Sequence, residues 1–114
     1  MAQNDMFVVM AQIIAYLYDC MKEGRTPKLA DWNAEACGVN QRYWAKIVAE
    51  LVDEGYISGV QAVHTSMGDA INAYDPAVTS RGVLFARENS GMAKAVEFLR
   101  SGGGILANLV LPFV

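Results

Sequence analysis

A chain of 114 residues, 54% hydrophobic and 18% charged, has the composition of one globular domain, with room for a real core and none for a second domain. A net charge of −3 and an isoelectric point near 5.0 exclude a non-specific coat on nucleic acid, whose affinity comes from neutralised phosphates. Cys20 and Cys37 make neither a disulfide framework nor a C-x-x-C metal knuckle, and both read as reduced, buried thiols.

The start, Met1-Ala2-Gln3-Asn4-Asp5, lacks the basic stretch of a secretory signal. The longest apolar run, residues 7–21, contains Gln12 and Asp19 and is too short to span a bilayer. A cytoplasmic protein with no membrane partner is expected.

Residues 5–23 carry helical periodicity. Met6, Met10, Ile13, Leu17 and Cys20 form one apolar row; Phe7, Ala11, Ile14, Tyr18 and Met21 form a neighbouring one. Gln12, Tyr16, Asp19 and Glu23 mark the opposite, wetter face. Asp5 is placed to cap this helix and Gly24 to end it. Two adjacent rows fit a helix at the centre of a small core, with one row available to a dimer.

Arg25-Thr26-Pro27-Lys28 is a linker, since Pro27 forbids continuation of the helix, and it has the option of a short edge strand. Residues 30–37 form a short helix capped by Asp31, with Trp32 and Ala36 inward. Gly38-Val39 turns the chain and Asn40 caps a third helix. Trp44, Ile47, Val48, Leu51 and Val52 share its inner face, while Gln41, Arg42, Ala45, Lys46, Ala49, Glu50 and Asp53 point away. Gly55 terminates it.

Residues 56–64 are rich in β-branched and aromatic side chains, Ser66-Met67-Gly68-Asp69 is a turn cluster, and residues 70–78 return as a second strand. Pro76 requires an edge position or a strand end. Thr79 or Ser80 caps a fourth helix. Asn89-Ser90-Gly91 interrupts it, and Ser90 is placed to cap a continuation with the apolar row Met92, Ala95, Val96 and Leu99. Gly102-Gly103-Gly104 is a joint before an almost wholly apolar end, residues 105–114, expected to dock on its own domain or on a neighbouring subunit. This order is that of a winged helix-turn-helix: an α+β fold, mainly α, with a β-hairpin wing and flanking N- and C-terminal helices. The domain spans residues 1–101 and the joint and tail 102–114.

Three strings, Gly55-Tyr56-Ile57-Ser58-Gly59-Val60, Val78-Thr79-Ser80-Arg81-Gly82 and Glu88-Asn89-Ser90-Gly91-Met92-Ala93-Lys94, resemble the YjcQ family over about residues 6–100. The resemblance implies a small bacterial winged-helix protein, often associated with prophages. It supplies no catalytic or ligand residues. The glycine joint and apolar end depart from the family pattern and point to association of chains.

In a DNA-reading winged helix the N-terminal outward side chains of the third helix meet the bases. Gln41 suits adenine N6/N7 and Arg42 guanine O6/N7. Tyr43 and Lys46 then contact the backbone, Asn40 lies near a phosphate at the helix N-terminus, and Arg25 and Lys28 add phosphate contacts. The leading expectation is therefore a prophage-type DNA-binding regulator. Its partners would be duplex DNA and a second copy of the chain, held through the first helix and the apolar tail. Against this, the wing offers His64, Thr65, Ser66 and Asn72 but no Lys or Arg, and Asp69 repels phosphate. Lys46 and Glu50 also suit an ordinary solvated i,i+4 pair. The alternative is a winged-helix module that binds protein and no nucleic acid. A continuous positive stripe over Arg25, Lys28, Arg42 and Lys46 favours DNA; a broken one favours the adaptor.

Trp32 and Trp44 read as core and Met6, Met10, Met21 and Met92 as packing. No enzyme, cofactor or metal is expected. A single histidine cannot found a His-based cluster, His64 with Asp69 and Asp75 fits no ligand motif, and Cys37 with His64 fits no nucleophile motif. The glycines at 102–104 lack the strand and lysine of a phosphate loop.

Overall fold

Asp5 begins the first helix as a side-chain cap, its Oδ1 accepting the Phe7 N–H at 2.9 Å. In the computed structural model, which describes residues 2–101, α1 runs Met6–Glu23 and closes on Gly24 in the left-handed region (φ +69°). Every residue from 8 to 17 is buried. The expected wet face holds at Glu23, which is exposed, and is corrected at Gln12 and Tyr16, 0% and 5% exposed, because α1 is packed against the helices at residues 41–53, 80–88 and 90–100 and the hairpin. The Tyr16 hydroxyl accepts from the Lys28 N–H (3.1 Å) and donates to Asp31 Oδ2 (2.7 Å), which draws the linker over the helix. Over residues 8–17 the apolar rows of α1, the first of the two expected dimer elements, are covered by its own domain. The other expected dimer element, the tail at 105–114, lies outside the described residues, as does the glycine joint.

Gln12 is enclosed without a hydrogen-bond partner for Oε1 or Nε2 among the described residues. An unsatisfied buried amide costs free energy that an apolar side chain of similar shape does not. Gln12→Met is accordingly expected to raise unfolding free energy by about 1 kcal/mol, read by urea denaturation. A loss of stability would show that the amide is satisfied.

The linker takes no strand and leads into a 3₁₀ turn, Leu29–Asp31, after which Asn33 caps α2, Ala34–Cys37. The expected helix over 30–37 capped by Asp31 is thus corrected. Asp31 is engaged by Tyr16, and Asn33 Oδ1 takes the Ala36 N–H at 2.9 Å. Trp32 is fully buried between these turns, and its carbonyl accepts the Trp44 indole N–H at 2.8 Å. The two rings are tilted at 5.6 Å, so the helix-turn-helix is held by packing and by a buried bond.

Asn40 caps α3, Gln41–Asp53, through the Tyr43 N–H at 2.8 Å. Its inner face is as expected, although Val52 is only half-buried. Ala45 and Ala49, expected outward, are 3% and 2% exposed, since α1 and the hairpin pack on a second side of the helix. Gly55 (φ +78°) ends α3 and the Tyr56 N–H returns to the Leu51 carbonyl.

The wing pairs β1, Ile57–Thr65, with β2, Gly68–Val78, antiparallel around a two-residue turn at Ser66-Met67. The return strand begins two residues before the expected position 70. The register jumps from Ser58↔Ala77 to Val60↔Ala73, so Gly59 faces a bulge made by Tyr74, Asp75 and Pro76. Pro76 sits where the ladder is already broken. Thr79 caps α4, Ser80–Glu88, and Asn89, rather than Ser90, caps α5, Ser90–Arg100. Asn89 Oδ1 accepts the Met92 N–H at 3.1 Å, the geometry of a cap two residues ahead of Gly91. The result is a mainly helical α+β domain of winged-helix layout.

Candidate functional site

The face that carries the candidate residues is the outer side of α3 with the wing laid beside it. Asn40, Gln41 and Arg42 are exposed at the open N-terminal end of α3. Asn40, Arg42, Tyr43 and Lys46 line, with Gly68 and Asp69 of the wing, a cleft of about 360 Å³. Four of the seven expected contact residues are therefore brought together. Tyr43 is half-buried and its hydroxyl donates to the Asn4 carbonyl at 2.8 Å; burial and then Asp5 raise its pKa. It ties down the N-terminal segment as well as lining the cleft.

Arg25 and Lys28 line neither this cleft nor its neighbour. The Arg25 guanidinium is held by Asp19 Oδ2 at 2.9 Å and Glu23 Oε2 at 2.7 Å, over the ring of Tyr16. Lys46 Nζ lies 3.6 Å from Asp69 Oδ2. Below it follow Glu50 and Asp53 of α3 and Glu54 just past its end, which line the neighbouring cleft of about 400 Å³ with Met6, Lys46, Ala49 and His64. The positive stripe is broken: two of its four members face carboxylates of their own chain, leaving Lys28 and Arg42 without ion pairs among the described residues.

Sequence reasoning missed a group that the fold assembles. His64 Nδ1 lies 2.5 Å from Asp69 Oδ1 and Nε2 3.1 Å from Asp53 Oδ2. Lys46, Asp69, His64 and Asp53 thus form a continuous chain of polar contacts between the wing tip and the last turn of α3. Hydrogen bonds to Asp69 and then to Asp53 raise the His64 pKa, and the bond to His64 lowers that of Asp69. The signal for half of this group was present. A two-residue turn puts His64 directly opposite Asp69, whereas a turn over 66–69 leaves Asp69 in the loop.

Cys37 is buried with its thiol pKa pushed up to about 12 by burial, and its Sγ lies 3.6 Å from the Trp32 carbonyl. Such a thiol is a packing group and a poor nucleophile. Among the described residues no group of three or more His, Cys, Asp or Glu side chains is arranged to hold a metal ion. No described helix is long and apolar enough to cross a membrane.

A family model described as YjcQ protein matches residues 11–101. The chain belongs to the YjcQ family. No characterised protein and no solved structure matches it. The YjcQ match takes in all three strings that carried the resemblance, and two of them meet in space. The Thr79 N–H and hydroxyl reach the Tyr56 carbonyl, each at 3.1 Å, and the same hydroxyl reaches the Gly55 carbonyl at 2.6 Å. Arg81 Nε donates to the Glu54 carbonyl at 2.8 Å beneath the Tyr56 ring, which stacks on Phe85 at 4.1 Å. In this YjcQ-family chain those strings fasten the end of α3 and start of β1 to the start of α4. Their chemistry is that of the fold.

Proposed function

We propose that this YjcQ-family chain is a winged-helix protein-interaction module, a phage-derived adaptor that acts in the cytoplasm without catalysis, cofactor or DNA. The observation that carries the reading is the broken stripe. Arg25 and Lys46, which a DNA reader would direct at phosphates, lie against Asp19, Glu23 and Asp69, and three further carboxylates follow along α3 and just past its end. The wing supports it from the other side. It carries no Lys or Arg, and its exposed side chains include Met67 at 92% and Tyr74 at 72% exposure. Exposed apolar and aromatic side chains on a hairpin that lacks Lys and Arg suit contact with protein.

A second reading, the prophage-type regulator, is favoured by one feature: Asn40, Gln41 and Arg42 stand exposed at the end of α3 that a DNA reader offers to the major groove. A photo-crosslinking side chain placed at position 74 or at position 42 in the producing cells separates the two. Protein adducts from position 74, and none to nucleic acid from position 42, are expected. Nucleic-acid adducts from position 42 would support the regulator instead.

A further inference from the structure

We propose that the wing is held on α3 by a proton-dependent latch in which His64 bridges Asp53 of the helix and Asp69 of the return strand. His64 is the chain's one histidine, and it is placed with both ring nitrogens within 3.1 Å of a carboxylate oxygen, one carboxylate on each element. The groups that face it are Lys46, Glu50 and Asp53 from α3 and Glu54 just past its end; from β2 it faces Asp69, and α1 contributes only the uncharged Met6. Carboxylates dominate these surroundings. Asp69 is anchored independently of the histidine, since its side chain is 4% exposed and its second oxygen lies toward Lys46. The hairpin turn beside it is closed by the Thr65 hydroxyl, which donates to the Gly68 carbonyl and accepts the Met67 N–H. The tip therefore moves as one piece.

Protonated imidazole donates from both nitrogens, so one cation satisfies the two carboxylates at once with charge-assisted bonds. Neutral imidazole keeps a single N–H. The shorter contact, 2.5 Å to Asp69, keeps that proton on Nδ1, so Asp53 loses its donor and the His64 link from wing to helix is cut. The direction with pH follows from the two shifts. His64 is raised, so its contribution is complete below the ordinary value of 6.5 and is lost as pH rises through the raised one. Asp69 is lowered, so its contribution is present above the ordinary 3.8 and is lost as pH falls through the lowered value. The latch is closed between these limits and opens on the alkaline side. Opening loosens the wing at its His64–Asp53 link and bares the outer side of α3 around Asp53, while Lys46 still holds Asp69. His64 and Asp53 are both more than half exposed, so the change is local, with the domain still folded.

The test is an NMR titration of the ¹⁵N-labelled full chain from pH 5 to 9, following the His64 ring nitrogens and the amides of Lys46 and residues 65–69. The expected result is a His64 midpoint above 6.5, with these amides moving at the same midpoint and wing-tip protection from hydrogen exchange falling above it. In Asp53→Asn the midpoint falls toward 6.5, and in His64→Gln the amide transition disappears; both positions are exposed enough for the fold to persist. A wild-type midpoint at or below 6.5 overturns the latch, as do wing-tip amides that ignore His64 or still titrate in His64→Gln.

Discussion

Gly59→Ala is expected to destabilise the domain by about 3 kcal/mol or more, moving the thermal midpoint down by roughly 12 °C or more. Two costs act together. Gly59 has φ +71°, a region that raises the energy of a residue with a Cβ by about 1–2 kcal/mol. The added Cβ would also stand 1.7 Å from the Asp75 carbonyl oxygen and 2.3 Å from its carbon, both backbone atoms of the bulge. The bulge cannot yield without displacing Pro76 and the Ser58↔Ala77 pair that begins the sheet. Gly24 is the internal control, with φ +69° and no atom within 4 Å of its Cβ. Gly24→Ala should therefore cost only the dihedral term, about 1–2 kcal/mol. Equal losses at the two positions in urea denaturation would show that the contact across the bulge contributes nothing.

Gly82→Ala is the second large effect, and its sign runs against helix propensity. Alanine in a helix is ordinarily better than glycine by about 1 kcal/mol. Here the added Cβ would lie 2.1 Å from the Tyr56 carbonyl oxygen and 3.0 Å from Val78 Cγ1. That carbonyl is the acceptor for both the N–H and the hydroxyl of Thr79, so α4 must lift away from the junction. A loss of about 2–4 kcal/mol is expected. Near-ultraviolet circular dichroism should change as well, because the Tyr56–Phe85 stack spans the same junction. A Gly82→Ala protein as stable as the parent would remove the close approach from the account.

These two glycines show how far the sequence could be read. Their strings carried the family resemblance, and the order of helix, turn, helix and hairpin followed from apolar spacing, the caps Asp5, Asn40 and Thr79, and the stop at Gly55. These are local signals. What each glycine must avoid, a carbonyl 16 or 26 residues away along the chain, is not local and could not be seen. Asn33 and Asn89 displaced Asp31 and Ser90 as caps because several candidates stood together, and Asp31 is claimed by Tyr16 across the fold. Gln12 and Tyr16 misled for a related reason. A polar side chain marks a wet face only where nothing packs on it, and α1 is enclosed on that side too.

The candidate face was legible as a set of residues and illegible as an electrostatic surface. Asn40, Arg42, Tyr43 and Lys46 do share a cleft, as helix spacing implied. Which charges stay free depends on what the wing and linker bring near them: Asp69 beside Lys46, Asp19 and Glu23 around Arg25. Periodicity along one helix contains none of that.

The most direct measurement is fluorescence-anisotropy binding of the full chain to a mixed pool of short duplexes across a salt series. Wild type is compared with Arg42→Ala/Lys46→Ala at matched foldedness. The broken stripe predicts no binding at low salt and no difference between the two proteins. Binding that weakens as salt rises and falls in the double variant would contradict it, with each lost phosphate contact lowering the salt slope by about one.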